Sequence, residues 1–409
     1  MLELFDPRDA SFQTDPYPTY ARLRAEAPVY MRYFDRPDGE RVPAWVLSRF
    51  EDCVAVLRDP RFSAEKPMDL LPLGASDQPP EAQHPLVRAY NALMLFRDPP
   101  DHTRLRNLVN KAFTTRTVRR LRPRIEGLVD ELLRAGAADG GMDLIEGLAV
   151  PLPIIVIAEL LGVPAEDHAR LKVWSDHTAM LIDGTLRDEH LDTALPSFVE
   201  LVEYLRRTVE RRRREPRDDL ISALVAAQDA DDALEDHEIL ATCALILGAG
   251  HETTTNLIGN GMMALLRDPV AFARLTREPG LLPTAVEELL RFDSPVQATS
   301  RIAREPVVIG GHCIPPGVEV NTLLGSANRD PAQFRHPDQL VLDRAENRHL
   351  SFGHGAHFCL GAPLARLEGH VAIGALVSRF PAMKLEVDEP PRRPGFVLRG
   401  WRSLPVRLG

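Results

Sequence analysis

Phe352 to Gly361 reads F-G-H-G-A-H-F-C-L-G, and a helical pattern starts directly behind it at Leu360. Cys359 thus lies in a glycine-rich loop at a helix N-terminus. There the helix dipole and free backbone N–H groups favour the thiolate. A thiolate held in this way is a strong ligand for a soft or borderline metal, and haem iron needs only one of them from the protein. Gly353, Gly355 and Gly361 permit left-handed turns or a close approach of backbone to a flat object. Phe352 is placed to shield the sulfur from water. Other readings compete. A lone cysteine is most often core packing. His354, His357 and Cys359 begin a zinc-like set, but no CxxC or HxxxH partner completes four ligands. Cys359 beside His357 also fits a nucleophile and its base.

The second chemical constellation lies on the longest helical stretch, from Asp236 to Arg267. Asp236 reads as its N-cap, with Glu238 in the first turn, and Asp268-Pro269 marks its end. At 1.5 Å per residue it runs on the order of 45 Å, enough to cross the molecule. Ile239 to Leu247 is apolar on every side, which implies full burial. Then comes A-G-H-E-T-T-T-N, Ala249 to Asn256. Gly248 and Gly250 weaken a helix by up to about 1 kcal/mol each relative to alanine. Glu252 in a buried helix needs a partner or water. Small residues there let a flat cofactor approach the backbone, with an acid and a hydroxyl beside it. Alternatively, the glycines serve helix–helix contact and the threonines bond back to carbonyls.

The cysteine loop resembles the ligand loop of the cytochrome P450 superfamily, the haem-thiolate monooxygenases. A-G-H-E-T-T resembles that superfamily's oxygen-activating acid–alcohol motif. The likeness runs from about Asp98 to Arg366, with motifs in the expected order. It implies Cys359 as the iron ligand of haem b, with Phe352 and Gly353 beside the sulfur and Ala249 and Gly250 against the cofactor. It places the catalytic acid at Glu252 and the alcohol at Thr253, with Thr254 a second candidate. D-P-P-D-H-T-R-L-R, Asp98 to Arg106, resembles the propionate-binding helix, giving His102 and Arg106 that task alongside Arg301 and His357. In E-E-L-L-R, Glu288 and Arg291 stand on one helical face; the resemblance makes them a buried structural network with Arg344. The implied fold is mainly α with a small β region, a triangular helical prism formed as one domain over residues 1–409. The implied reaction inserts one atom of dioxygen into a lipophilic small molecule, by hydroxylation or epoxidation. No flavin or iron–sulfur motif occurs in the chain, so the electrons are expected from a separate ferredoxin and ferredoxin reductase.

Composition is compatible with this. The chain has 409 residues, 44% of them hydrophobic and 26% charged, as in ordinary globular enzymes. A net charge of −10 argues against general nucleic-acid binding. Met1 to Asp15 resembles neither signal peptide nor membrane anchor, and Leu148 to Val163 is too short and too interrupted to span a bilayer. Four widely spaced cysteines argue against a disulfide framework and for a cytoplasmic protein, expected as a monomer. Arg104 to Arg124 carries eight cations and no acid, either a solvated helix face or a docking patch for an acidic partner. Strands are expected at Val29–Tyr33 and Ala44–Leu47, a hairpin region from Val307–Ile309 and Val318–Leu323, and late strands at Ala382–Val387 and Phe396–Val406. Residues 64–100 read as a long functional loop. The resemblance implies a pocket whose lining includes Leu93, Leu95, Met180, Leu181, Ile246, Val296, Ala298 and Val397, a largely apolar set. A haem carrier without Glu252 and Thr253 in a chemical role, and a cysteine hydrolase, are the alternative classes.

Overall fold

The computed structural model describes residues 4–35, 41–65, 90–137, 140–183, 188–228 and 234–409. Its spine is the 32-residue helix Asp236–Arg267, most of whose side chains are buried. The cap is Glu235 rather than Asp236. Glu235 accepts a backbone N–H inside the first turn while the Glu238 carboxylate takes the Glu235 N–H at 2.9 Å, a reciprocal capping box. Asp236 is already inside the helix, its carboxylate held by Arg213 and Gln228. Around this spine pack Pro151–Leu161, His168–Asp183, Asp188–Arg214 and the helix Ala362–Arg379 that follows the cysteine loop. Leu257 of the spine approaches so close to Gly369 that a Cβ there would sit 2.9 Å from a Leu257 methyl. No described helix is long and apolar enough to cross a membrane.

The β structure is small and lies to one side. Strands β1 (Val29–Asp35), β2 (Arg41–Leu47), β3 (Phe62–Ser63), β5 (Thr299–Ala303) and β8 (Glu319–Thr322) form one sheet in the order β1-β2-β8-β5-β3. Strands β4 (Gly141–Asp143), β9 (Lys384–Leu385) and β10 (Pro405–Arg407) form a second, and β6 (Val307–Ile309) with β7 (His312–Ile314) a third. The expected hairpin pairing is therefore corrected. β6 turns at Gly310-Gly311, both at positive φ, and pairs with His312–Ile314. The Val318–Leu323 region instead supplies β8, which is parallel to β2 and antiparallel to β5. The late strands are shorter than expected; most of Phe396–Val406 is irregular, with isolated bridges Val296–Leu398 and Arg392–Trp401.

A buried ion network fixes the segment leading to the cysteine loop. Arg291 clamps Glu288 at 2.7 and 2.8 Å, and Arg344 adds two bonds at 2.9 and 3.1 Å. The side chains of Glu288 and Arg291 are fully buried. Their remaining capacity is satisfied by backbone: Glu288 accepts the Val341 N–H, and Arg291 donates to the carbonyls of Asn328, Pro337 and Gln339. Such satisfaction is what makes a buried charge tolerable.

Candidate active site

The cysteine loop is shaped by hydrogen bonds and two left-handed glycines. Gly353 and Gly355 have φ of 70° and 73°, and a Cβ on Gly355 would collide with the Leu57 carbonyl at 2.4 Å. The Cys359 N–H donates to the Phe352 carbonyl at 2.8 Å, closing the loop. The backbone N–H groups of Gly361 and Ala362 serve the sulfur. Burial pushes the thiol pKa up, and those amides with the charges of Arg106 and Arg366 pull against it. Yet Cys359 is solvent-accessible. An accessible thiol beside those amides and cations is open to a bound group.

Four cation-capable side chains gather beside the loop. The His102 and His357 rings lie 4.1 Å apart, centroid to centroid. Arg106 donates to the Phe358 carbonyl at 2.6 Å. Arg301, on β5, is 8% exposed and donates only to the Ser300 carbonyl and the Thr299 hydroxyl. Burial and then the Arg301 charge lower the His357 pKa to about 3; burial and then Arg106 lower that of His102. The His102 Nδ1 atom is buried without a partner, and no ion pair to Arg301 occurs among the described residues. The nearby acid, Asp98, is taken by Ser63, the Ala64 N–H and Arg304. A buried cluster of donors short of anions fits the two carboxylates of haem. Arg104, one turn-step away, faces elsewhere and pairs with Glu238.

The long helix presents an accessible stripe. Ile246, Ala249, Gly250 and Thr253 are the partly open positions in an otherwise buried stretch, and their three- and four-residue spacing puts them on one face. A cradle of two small residues on an internal face is what a flat macrocycle requires. Gly250 has a packing reason as well, since a Cβ there would sit 2.5 Å from Ile157 Cδ1. The Thr253 hydroxyl donates to the Ala249 carbonyl at 2.8 Å. Thr254 is buried and faces Glu368 of the cysteine helix. Glu252 is buried, with Arg393 at 3.1 Å.

Some expectations are relocated. Leu93 and Ala298 are sealed in the core, Met180 is 41% exposed, and the Leu181 side chain and residues 66–89 lie outside the described residues. The basic run Arg104 to Arg124 is largely neutralised from a distance: Arg120 meets Asp218, Arg122 meets Glu126, and Arg124 meets Glu159 and Glu131. Among its described side chains, Arg106, Arg116 and Arg119 carry no ion pair, and Arg106 faces the cysteine loop. Among the described residues no group of three or more His, Cys, Asp or Glu is arranged to hold a metal ion. Sequence reasoning did not single out Arg393 or Arg366. Arg366 was findable, in the second turn of the helix that follows Cys359; no local signal joins Arg393 to Glu252.

A family model described as Cytochrome P450 matches residues 185–402. The chain is 44% identical over 402 residues to the cytochrome P450 monooxygenase PikC of Streptomyces venezuelae, covering 97% of this chain and 92% of that one. It is 43% identical to the vitamin D(3) 25-hydroxylase of Pseudonocardia autotrophica, covering 100% and 97%. A solved structure of P450BioI with a hexadec-9Z-enoic acid-ligated acyl carrier protein superposes at a TM-score of 0.90, with 39% identity over 98% of this chain and 100% of that one. The chain belongs to the cytochrome P450 family. It is a monooxygenase, an oxidoreductase whose cofactor is haem b, in the family's helix-rich fold.

Proposed function

We propose that this is a single-domain, monomeric, cytoplasmic monooxygenase that hydroxylates or epoxidises a lipophilic small molecule, drawing electrons from a separate ferredoxin and its reductase. The observation that carries the reading is the accessible Ile246–Ala249–Gly250–Thr253 stripe on an otherwise buried helix. Cys359 would ligate the haem iron, and His102, Arg106, Arg301 and His357 would hold its propionates. Haem, when bound, supplies the redox chemistry, and thiolate ligation favours O–O cleavage. The protein's own part is proton management. Thr253 releases the Ala249 carbonyl and turns its hydroxyl outward from the accessible stripe, donating a hydrogen bond there. Glu252 leaves Arg393 to take a proton from solvent and pass it on. A relative named a vitamin D(3) 25-hydroxylase and a neighbour solved with a hexadec-9Z-enoic acid-ligated carrier protein support an apolar substrate, as do the half-buried Leu95, Ile246, Val296 and Val397.

The test is reconstitution with a ferredoxin, its reductase and NADPH, after a screen of lipophilic compounds for ligand-induced shifts of the Soret band. Thr253→Ala is expected to keep consuming NADPH while product per NADPH falls about 100-fold, the lower end for a positioned proton donor, with hydrogen peroxide making up the difference. Unchanged coupling in that variant would remove Thr253 from the mechanism. A second expectation concerns docking. Arg116→Glu together with Arg119→Glu should slow reduction by an acidic ferredoxin several-fold at low salt, and the gap should close as salt rises. A salt-independent rate equal to wild type would reduce this stretch to a solvated helix face.

A further inference from the structure

Arg366 lies in the second turn of the helix Ala362–Arg379 that follows Cys359, and Glu287 clamps its guanidinium. The bonds run from Nε to Oε1 at 2.6 Å and from Nη2 to Oε2 at 2.8 Å. So held, Arg366 places Cζ 4.4 Å from the centre of the Phe352 ring. Phe352 is the residue whose carbonyl accepts the Cys359 N–H. On its other side Glu287 meets His349 Nε2 at 3.2 Å, and His349 Nδ1 accepts the Ser351 N–H at 3.2 Å. The chain of contacts therefore leaves the cysteine loop at Ser351 and Phe352 and returns to itself through His349, Glu287 and Arg366. It is separate from the neighbouring Glu288 network, which faces Arg344. The pair is also polarised. Its positive end stacks on the loop, and the Glu287 carboxylate is held on the guanidinium at Nε and Nη2. Burial raises the Glu287 carboxyl, but hydrogen bonds from Arg366 and then His349 overcome it and hold its pKa at about 2, so the pair is charged at working pH.

We propose that Arg366, held over Phe352 by Glu287, is a positioning residue that sets the reduction potential of haem bound through Cys359. The proposal rests on the assignment of Cys359 as iron ligand. One-electron reduction of the ferric centre adds a negative charge beside the sulfur. A fixed cation above Phe352 favours that charge, and Glu287 offsets part of its influence. Both side chains are about one-third exposed, at 32% and 27%, so the field is screened and best read at low salt.

The experiment is a dithionite redox titration of the holoprotein, with the carbon monoxide difference spectrum taken on every variant. Arg366→Met should move the potential more negative, because the Glu287 carboxylate is left uncompensated. Glu287→Gln should move it more positive, because the cation is left unopposed. The double variant should return close to wild type, and Arg366→Lys should keep most of the native value. A purely structural brace predicts something else: both single variants shift in the same direction and convert part of the carbon monoxide band to the position of a neutral thiol ligand. Potentials that do not move, or that move together, overturn the proposal while the wild-type thiolate band still supports Cys359. Absence of that band in the wild type overturns both.

Discussion

Cys359→Ser is expected to abolish the strongly red-shifted Soret band of the dithionite-reduced carbon monoxide complex and to reduce turnover with redox partners to background. Serine keeps nearly the volume of cysteine and retains the loop's backbone bond to Phe352, so the loop itself should survive. What it cannot supply is a soft anionic donor, since its hydroxyl stays protonated where a thiol yields to a metal. The other cysteines give the control. Cys53 and Cys243 are buried in apolar surroundings, where burial pushes their thiol pKa far up. Cys313 is exposed on β7. Cys313→Ser should therefore leave the band untouched. Retention of the red-shifted band in Cys359→Ser would place the iron ligand elsewhere and remove the basis of the site.

Glu288→Gln should destabilise the protein by about 3–5 kcal/mol, the usual cost of removing one partner from a buried ion network. Set against a total of about 5–15 kcal/mol for a typical fold, this is severe, and most of the variant should be lost as insoluble chain. The reason is arithmetic of charge. Arg291 and Arg344 have side chains 0% and 8% exposed, and both rely on the one carboxylate. An amide offers a single acceptor oxygen and no charge to two guanidinium groups. Denaturation of whatever folds, by urea and by heat, measures the loss; a shift no larger than that of Glu203→Gln, in a half-exposed surface pair, would contradict the assignment. The pH dependence has a definite sign. Burial raises the Glu288 carboxyl, but its bonds to Arg291 and Arg344 outweigh this and hold it below the ordinary 4.5. Its contribution is thus complete above about 4.5 and drains away as pH falls through the lower folded value. The variant should lose this part of the acid limb.

The parts of the site that were legible in the sequence are those written locally. Cys359 and its glycines occupy ten consecutive residues, and Glu288 and Arg291 stand one helical turn apart. The long helix also declared itself, because Ile239 to Leu247 is apolar on every face and Asp268-Pro269 stops it. What stayed hidden was set by pairings between positions from 35 to 275 residues apart (319 − 44 for the latter). Nothing near Val318–Leu323 says that its partner is β2 rather than β6. The acids that neutralise Arg104, Arg120 and Arg124 lie at positions 238, 218 and 159, so the basic run looks more charged in sequence than it is in space. Glu252 shows the same limit: burial predicted a partner, but only the folded C-terminal loop identifies Arg393.

The parallel pairing of β2 with β8 has a consequence for how the molecule is made. Ala44 aligns with Glu319, a separation of 275 residues (319 − 44), and Phe50 donates to Asp330 across a similar interval. A ribosome working at about 5–20 residues per second needs roughly 15–55 s to supply the missing strand. For that time β1 and β2 leave the exit tunnel as a two-stranded ribbon whose β2 edge lacks its native partner, too small to hold itself together. Strand β2 is thus made well before the strand it pairs with. Its fate in the cell depends on what shields that edge during the wait.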